Sequence, residues 1–104
     1  MSETMRIDRY LWFVRLAKSR NVAQDLAEGG RLRIDGRRID RAHAPVRVGN
    51  IIAFVGADHH VRVIRVEALP ARRGPPAEAQ ACYQRLVTSD SAKAENVSQE
   101  GPID

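Results

Sequence analysis

The chain has 104 residues, a formal net charge of +4, 43% hydrophobic residues and one cysteine. This length allows one modest hydrophobic core and leaves little room for a separate catalytic domain. One cysteine excludes an intramolecular disulfide and a cysteine-rich zinc site, and no apolar run approaches the roughly 20 residues of a membrane span. The first residues also lack the basic and then apolar pattern of a signal peptide. We therefore expect a cytoplasmic protein with no cofactor, no metal and no membrane segment.

The positive charge is concentrated in arginine and in the first 87 residues. Arginine supplies 15 of the 17 cations, and its planar guanidinium favours two-point contacts with phosphate or carboxylate groups. Residues 1–87 hold 16 cations and 9 anions, whereas residues 88–104 carry a net charge of −3. This asymmetry predicts a polyanionic partner for the body of the chain and a solvated acidic tail.

The first periodic segment predicts a helix that begins at Ile7. Four apolar residues recur at helical spacing on one face of it: Ile7, Tyr10, Leu11 and Val14. Trp12 and Leu16 fall on the opposite side, where a two-layer domain offers no core to receive them. Either another part of the same chain covers this second stripe, or the tryptophan contacts a nucleotide or a protein.

A second helix is predicted from about Arg20 to Glu28. Ser19 precedes it and can accept a hydrogen bond from the free backbone N–H groups of the first turn. Gly29 and Gly30 end it, because glycine adopts the left-handed C-terminal conformation without a steric penalty. The first two helices therefore form a tight pair.

After Gly30 the apolar period changes from 3.6 to 2, which predicts strands. Leu32 and Ile34 alternate with charged residues, and Asp35-Gly36 has the composition of a tight hairpin turn before a returning strand at 37–39. A turn at 49–50 precedes two further strands, at 51–55 and 61–66. The sequence thus predicts a small antiparallel sheet.

Residues 70–76 are rich in proline and glycine and predict a break before a third helix. That helix carries Ala79, Cys82, Tyr83 and Leu86 on one face and is the expected cover for Trp12. The predicted fold is α+β, with two N-terminal helices packed on a small antiparallel sheet and a short C-terminal helix. Its expected divisions are a flexible N-terminus at 1–5, a domain at 6–69, a linker and helix at 70–87, and a disordered acidic tail at 88–104.

Catalysis is not predicted. Histidines 59 and 60 fall in an expected turn, where neighbouring side chains diverge too far to share a metal ion. Cys82 lies on an apolar helix face without a basic neighbour, which is typical of a buried thiol and not of a nucleophile. The chain also has no phosphate-binding glycine loop, nucleophile elbow or metal motif.

The cations instead predict a nucleic-acid surface, because the helical pair and the first hairpin bring them together. The start of the second helix adds free N–H groups and a positive dipole beside Ser19. We expect the binding surface to comprise Arg9, Arg15, Lys18, Ser19, Arg20, Arg31, Arg33, Arg37, Arg38 and Arg41. The same cations leave DNA binding open.

Several of these segments resemble the RNA-binding domain named after small-subunit ribosomal protein S-four. The resemblance rests on Arg6-Ile7-Asp8-Arg9-Tyr10-Leu11-Trp12, Lys18-Ser19-Arg20, Glu28-Gly29-Gly30-Arg31-Leu32 and Asp35-Gly36, and it spans about residues 6–66. Val48-Gly49-Asn50 is similar to a later valine-glycine-aspartate segment of that domain, with asparagine in place of the commoner acid. The resemblance implies RNA binding, and the same domain also occurs in pseudouridine synthases, tyrosyl-tRNA synthetases and RNA methyltransferases.

Other features of the chain narrow the resemblance to one family that carries this domain. Trp12, the lack of an appended enzyme domain, and Arg72-Arg73-Gly74-Pro75-Pro76 with Tyr83 beyond are similar to the ribosome-associated heat-shock family of about fifteen kilodaltons. Membership would imply binding to rRNA of the large ribosomal subunit, and to peptidyl-tRNA left there when translation has aborted, in a rescue role without chemistry. Members often end in a basic extension, whereas this chain ends in an acidic one.

Two alternatives to a ribosome rescue factor remain, and we expect a monomer in the absence of RNA. One is a general module for structured RNA or tRNA, which competition with free tRNA would distinguish. The other is a protein-interaction adaptor that uses Trp12, Leu16 and the acidic tail. An enzyme is a distant third.

Overall fold

The computed structural model describes residues 3–56 and 59–88. Within these ranges the helices are α1 (Ile7–Phe13), α2 (Arg20–Glu28) and α3 (Pro76–Gln80). The strands are β1 (Met5–Arg6), β2 (Leu32–Ile34), β3 (Arg37–Ile39), β4 (Pro45–Val46), β5 (Ile51–Val55), β6 (Val61–Val66) and β7 (Tyr83–Thr88). This arrangement confirms the predicted α+β fold with two N-terminal helices and a short C-terminal one.

The main sheet has five antiparallel strands in the order β3-β2-β5-β6-β7, and β1 pairs separately with β4. Leu32 of β2 lies opposite Ile39 on one side and Phe54 on the other. The pairing of β2 with β5 passes over the two strands that lie between them in the sequence. It brings the first hairpin beside the strands that follow residue 50.

The core lies between the two N-terminal helices and one face of this sheet. The predicted α1 face is confirmed, since Ile7, Tyr10, Leu11 and Val14 are at most 1% exposed. They pack in one cluster with residues of α2 and of the inner sheet face: Ala23, Ala27, Leu32, Ile52, Phe54, Ile64 and Val66. Each inner strand residue alternates with a more exposed neighbour, which fixes which side chains face away from the helices.

The predicted bounds and cap of α2 are confirmed. Ser19 Oγ accepts a hydrogen bond from the backbone N–H of Val22 at 3.1 Å. At the other end Gly29 stays right-handed, and Gly30 takes the left-handed conformation with φ of +77°. A side chain at Gly30 would be strained, so glycine is required there to end the helix.

The hairpin turn between β2 and β3 is also as predicted. Asp35 has φ of +53° and Gly36 has φ of +82°, the pair of positive values of a two-residue hairpin turn. The Asp35 carboxylate accepts hydrogen bonds from the Asn50 side-chain amide at 2.7 Å and from the Ile51 backbone N–H at 2.8 Å. These bonds anchor the hairpin to the start of β5.

The C-terminal region differs from the prediction. The helix ends at Gln80, and the segment with Tyr83 and Leu86 is strand β7, so the prediction of helical residues there is wrong. The physical reason is that β6 has an edge whose backbone groups pair with those of β7. Residues 89–104 of the predicted tail lie outside the described residues.

Arg73, in the loop before α3, covers Trp12, where the sequence predicted α3 itself as the cover. The Arg73 guanidinium carbon lies 5.7 Å from the centre of the indole ring, and Arg73 Nη1 donates to the Trp12 carbonyl at 2.7 Å. In the other direction, Arg15 Nε donates to the Gly74 carbonyl at 2.7 Å. We call the contacts of Arg73 with Trp12 and of Arg15 with Gly74 the arginine clasp. They confirm that another part of the same chain covers the indole.

The N-terminal segment pairs with β4. Met5 of β1, which the sequence predicts to belong to a flexible N-terminus, lies opposite Val46 of β4. A strand of two residues is too short to be predicted from the alternation of apolar and polar residues.

No helix in the described part of the chain is long and apolar enough to cross a membrane.

Candidate nucleic-acid interface

The start of α2 is positioned by the bend between the first two helices. Buried Ala17 anchors that bend, and its backbone N–H donates to the Leu11 carbonyl at 3.0 Å. Lys18 and Arg20 are exposed on either side of the Ser19 cap. Helix geometry leaves the first N–H groups of α2 without an intrahelical acceptor, and their dipoles add positive potential. This end of α2 therefore attracts anions.

The first hairpin places two arginines face to face. Arg33 of β2 is directly opposite Arg38 of β3, both are exposed, and opposed residues of an antiparallel pair share one face of the sheet. Arg33 Nη1 donates to the Gly36 carbonyl at 3.3 Å. Like charges opposed in this way repel each other, and a bound phosphate would relieve that repulsion.

A cleft joins the helix end to the hairpin. Arg15, Lys18 and Arg31 line the same cleft of about 940 Å³, which lies between α2 and the helix-facing side of β5, β6 and β7. The Arg38 guanidinium packs over Gly30, with its Nε 3.5 Å from the point that a Cβ atom would occupy on that glycine. The cations around Gly30 thus continue from the cleft onto the hairpin.

The remaining predicted residues lie elsewhere. Arg9 and Arg41 flank the contact in which the Asp8 backbone N–H donates to the Ala42 carbonyl at 3.2 Å, so both are near the start of α1. Arg37 is exposed on the edge strand β3, opposite Ile34. Arg15 lines the cleft, but its Nε already donates to the Gly74 carbonyl in the arginine clasp. The structure therefore groups Lys18, Ser19, Arg20, Arg31, Arg33 and Arg38 beside Arg15, and sets Arg9, Arg37 and Arg41 apart.

Sequence reasoning missed two cations of the cleft, Arg62 and Arg85. Alternation along 61–66 could have identified Arg62 as a strand residue of the helix-facing side. Arg85 could not be placed, because the segment that carries it was predicted as helix. The pairing of β5 with β6 sets Arg62 opposite Phe54, and the pairing of β6 with β7 adds Arg85.

Cys82 is a buried thiol. Burial raises the pKa of the Cys82 thiol, and nearby Glu78 raises it further, which disfavours the thiolate needed for nucleophilic attack. Between residues 3 and 56 and between 59 and 88, no three His, Cys, Asp or Glu side chains are grouped to hold a metal ion.

This chain is similar in sequence and in fold to known proteins. The S4 domain family, named after the small-subunit ribosomal protein, matches residues 5–52. A heat shock protein 15 homolog from Aeromonas salmonicida is 33% identical over 93 residues, which are 88% of this chain and 68% of that protein. The chain belongs to the heat shock protein 15 family. The resemblance inferred from the sequence is confirmed, and the chain carries an S4 RNA-binding domain.

Two further proteins are similar to this heat shock protein 15 family member. A trimeric structure of Vibrio cholerae heat shock protein 15 has a TM-score of 0.76 and 29% identity, and the match covers 90% of this chain and 92% of that one. A Listeria innocua protein named RQC P-site tRNA stabilizing factor is 50% identical over 36 residues, 35% of this chain and 39% of its own length.

Proposed function

We propose that this protein binds rRNA of the large ribosomal subunit and acts, without catalysis, in rescue or recycling of large subunits that still carry nascent chain-tRNA. Membership of the heat shock protein 15 family supports this proposal. So does the similarity of 36 residues to a factor whose name refers to P-site tRNA. Peptidyl-tRNA on the same subunit is then a second RNA within reach.

The opposed arginines of the first hairpin carry the proposal. Arg33 and Arg38 are exposed cross-strand neighbours with the same charge, and like charges placed opposite each other cost stability. The Asp35 carboxylate holds the hairpin on β5, so the pair is presented on a rigid element. A phosphate of structured RNA is the anion that an S4 domain would meet.

The mechanism we infer is recognition of RNA shape through its backbone. Ser19 and Arg20, with the free N–H groups at the start of α2, hold one phosphate. The surrounding cations meet neighbouring phosphates: Arg9, Arg15, Lys18, Arg31, Arg33, Arg37, Arg38 and Arg41. Arg15 contributes less than the others, because its Nε already donates to Gly74.

Co-sedimentation of the purified protein with large ribosomal subunits tests the proposal. Empty subunits are compared with subunits that hold a nascent chain on tRNA, across a series of salt concentrations. We expect a preference for the obstructed subunits that persists as salt rises. Equal binding to both particles and to unrelated RNA, lost together at moderate salt, would reduce the function to general RNA binding.

Competition with free tRNA distinguishes the proposed function from general tRNA binding. If the protein is a general tRNA-binding module, free tRNA should displace it from the subunits. The adaptor alternative has less of the Trp12 surface to use, because the Arg73 guanidinium lies over the indole. The monomeric state is checked by sedimentation velocity, in which a monomer has a mass of 11.6 kDa. The Vibrio relative is described as trimeric, so this measurement also compares the two proteins.

A further inference from the structure

The cleft beside α2 has an apolar interior. Leu16 of the helix bend and Leu26 of α2 line one side, and Phe54 of β5 and Tyr83 of β7 line the other. Tyr83 is half-buried, so part of its side chain is open to the cleft. The volume of about 940 Å³ is within the range of about 300 to 1,000 Å³ that small-molecule sites occupy.

The rim of the same cleft is strongly cationic. Five of its lining side chains are basic: Arg15, Lys18, Arg31, Arg62 and Arg85. Among the described residues that line it, Asp25 is the one acid. An apolar interior with an aromatic side chain and a cationic rim matches a ligand that has a flat, weakly polar part and an attached anion.

We propose that this cleft receives one unpaired nucleotide of the bound RNA, with its base against Tyr83 and its phosphate between Lys18 and Arg31. The inference rests on the proposed RNA-binding function and adds that the target must offer an extruded base. Lys18 and Arg31 belong both to the cleft and to the cationic surface, so RNA on that surface passes the cleft mouth. An acidic peptide would satisfy the rim but would not need the aromatic side chain.

Two RNA hairpins with the same stem test the inference. One carries a single bulged 2-aminopurine, and the other is fully paired with 2-aminopurine within the stem. We expect the full-length protein to bind the bulged hairpin about tenfold more tightly, the contribution expected of one base on an aromatic ring. Binding should also change 2-aminopurine emission in the bulged hairpin, since the base leaves water for the cleft.

Variants assign the preference to the cleft. Tyr83→Leu should abolish the tenfold preference, and Tyr83→Phe should retain it, because phenylalanine keeps the ring face. Gln84→Ala is the matched control from the same strand, since Gln84 is exposed and alternates to the other sheet face. It should leave the preference unchanged. Arg20→Glu, which lies outside the cleft lining, should weaken binding to both hairpins by the same factor.

The outcomes separate the two proposals. Equal affinity of the wild-type protein for both hairpins, with strong salt dependence and no change in emission, overturns the nucleotide site and leaves RNA binding standing. Failure to bind either hairpin or the large subunit overturns the proposed function itself. A preference for the bulged hairpin that is unchanged in Tyr83→Leu would mean that the extruded base binds elsewhere, and it would overturn the inference.

Discussion

At the scale of single residues, Tyr10 connects the two ends of the described chain. Its side chain is fully buried, and its hydroxyl donates to the Cys82 carbonyl at 2.9 Å. Burial raises the pKa of Tyr10 well above its usual range, with smaller contributions from Cys82, Tyr83 and Glu67. The folded state therefore favours the neutral phenol over the phenolate.

Because the folded-state pKa of Tyr10 is raised, its contribution to stability is complete below pH about 10, the pKa in the unfolded chain, and declines as pH rises beyond that value. Tyr10→Phe should lower the free energy of unfolding near pH 7 by about 1 to 2 kcal/mol, since the Cys82 carbonyl loses its donor. The variant should also lose less stability than the wild type above pH 10. Urea denaturation from neutral to alkaline pH measures both effects, and parallel pH profiles would contradict the second.

The cationic surface is tested by charge reversal of two exposed arginines. The double substitution Arg20→Glu and Arg31→Glu should weaken RNA binding by at least about a hundredfold, since it removes two phosphate contacts and adds repulsion. Its urea midpoint should stay close to that of the wild type, because neither side chain is buried.

The single reversals Arg20→Glu and Arg31→Glu are each compared with Arg65→Glu, which changes the net charge by the same amount. Arg65 lies on β6, and β5 separates β6 from the first hairpin. Its ion pair with Glu67 is exposed and contributes little to stability. An equal loss of RNA affinity in this variant would mean that overall charge, and not the proposed surface, determines binding.

At the scale of elements, the arginine clasp joins the end of α1 to the loop before α3. Arg73 brings a cation to the carbonyl end of a helix and onto an indole, two favourable placements for a guanidinium. Arg15 makes the reciprocal contact with φ of +64°, a conformation that costs energy for a residue with a side chain. The clasp fixes the bend that presents Lys18, Ser19 and Arg20.

Arg73→Ala should reduce the free energy of unfolding by about 1 to 3 kcal/mol, because it removes the indole contact and a charged donor to a backbone carbonyl. Trp12 fluorescence should move to longer wavelength as the indole gains water. The matched change Arg72→Ala breaks an exposed ion pair with Glu78 and should cost less than about 0.5 kcal/mol. Similar losses in the two variants would argue against the clasp.

Elements whose ends are marked by a capping residue or a turn residue were predictable from the sequence. The Ser19 cap and the Gly29-Gly30 stop define α2, and Asp35-Gly36 defines the hairpin, because these signals act within a few residues. Strand β7 was not predictable, since Tyr83 and Leu86 fit helical spacing and the deciding partner is β6, distant in sequence. The same holds for Arg73, whose role depends on a tryptophan 61 residues earlier.

At the scale of the whole molecule, the charge of the folded part should control RNA affinity. If about five phosphates are neutralised, the logarithm of the association constant should fall with the logarithm of salt concentration with a slope of about −3.5 to −4.5. Fluorescence anisotropy of a labelled RNA hairpin from about 50 to 200 mM salt gives the slope. A slope near zero would contradict the electrostatic account.

Part of the candidate surface depends on residues close together in the sequence, and part depends on strand pairing between distant residues. Its arginines cluster along the sequence from Arg9 to Arg41, so their joint role could be predicted from composition and a helix-helix-strand order. The cleft could not be predicted, because Arg62 reaches it through the pairing of β5 with β6 and Arg85 through the pairing of β6 with β7. A cationic surface was therefore predictable from the sequence, whereas the proposed site for a base was not.

The bond from Tyr10 to Cys82 also has a consequence for synthesis of the protein. A chain made from its N-terminus produces the tyrosine early and its acceptor 72 residues later. Until that acceptor leaves the ribosome, the phenol must remain hydrated or lie in an incomplete core without a partner. The residues matched by the S4 domain, 5–52, are complete well before then. Release of the last quarter of the described chain is thus the step that completes folding.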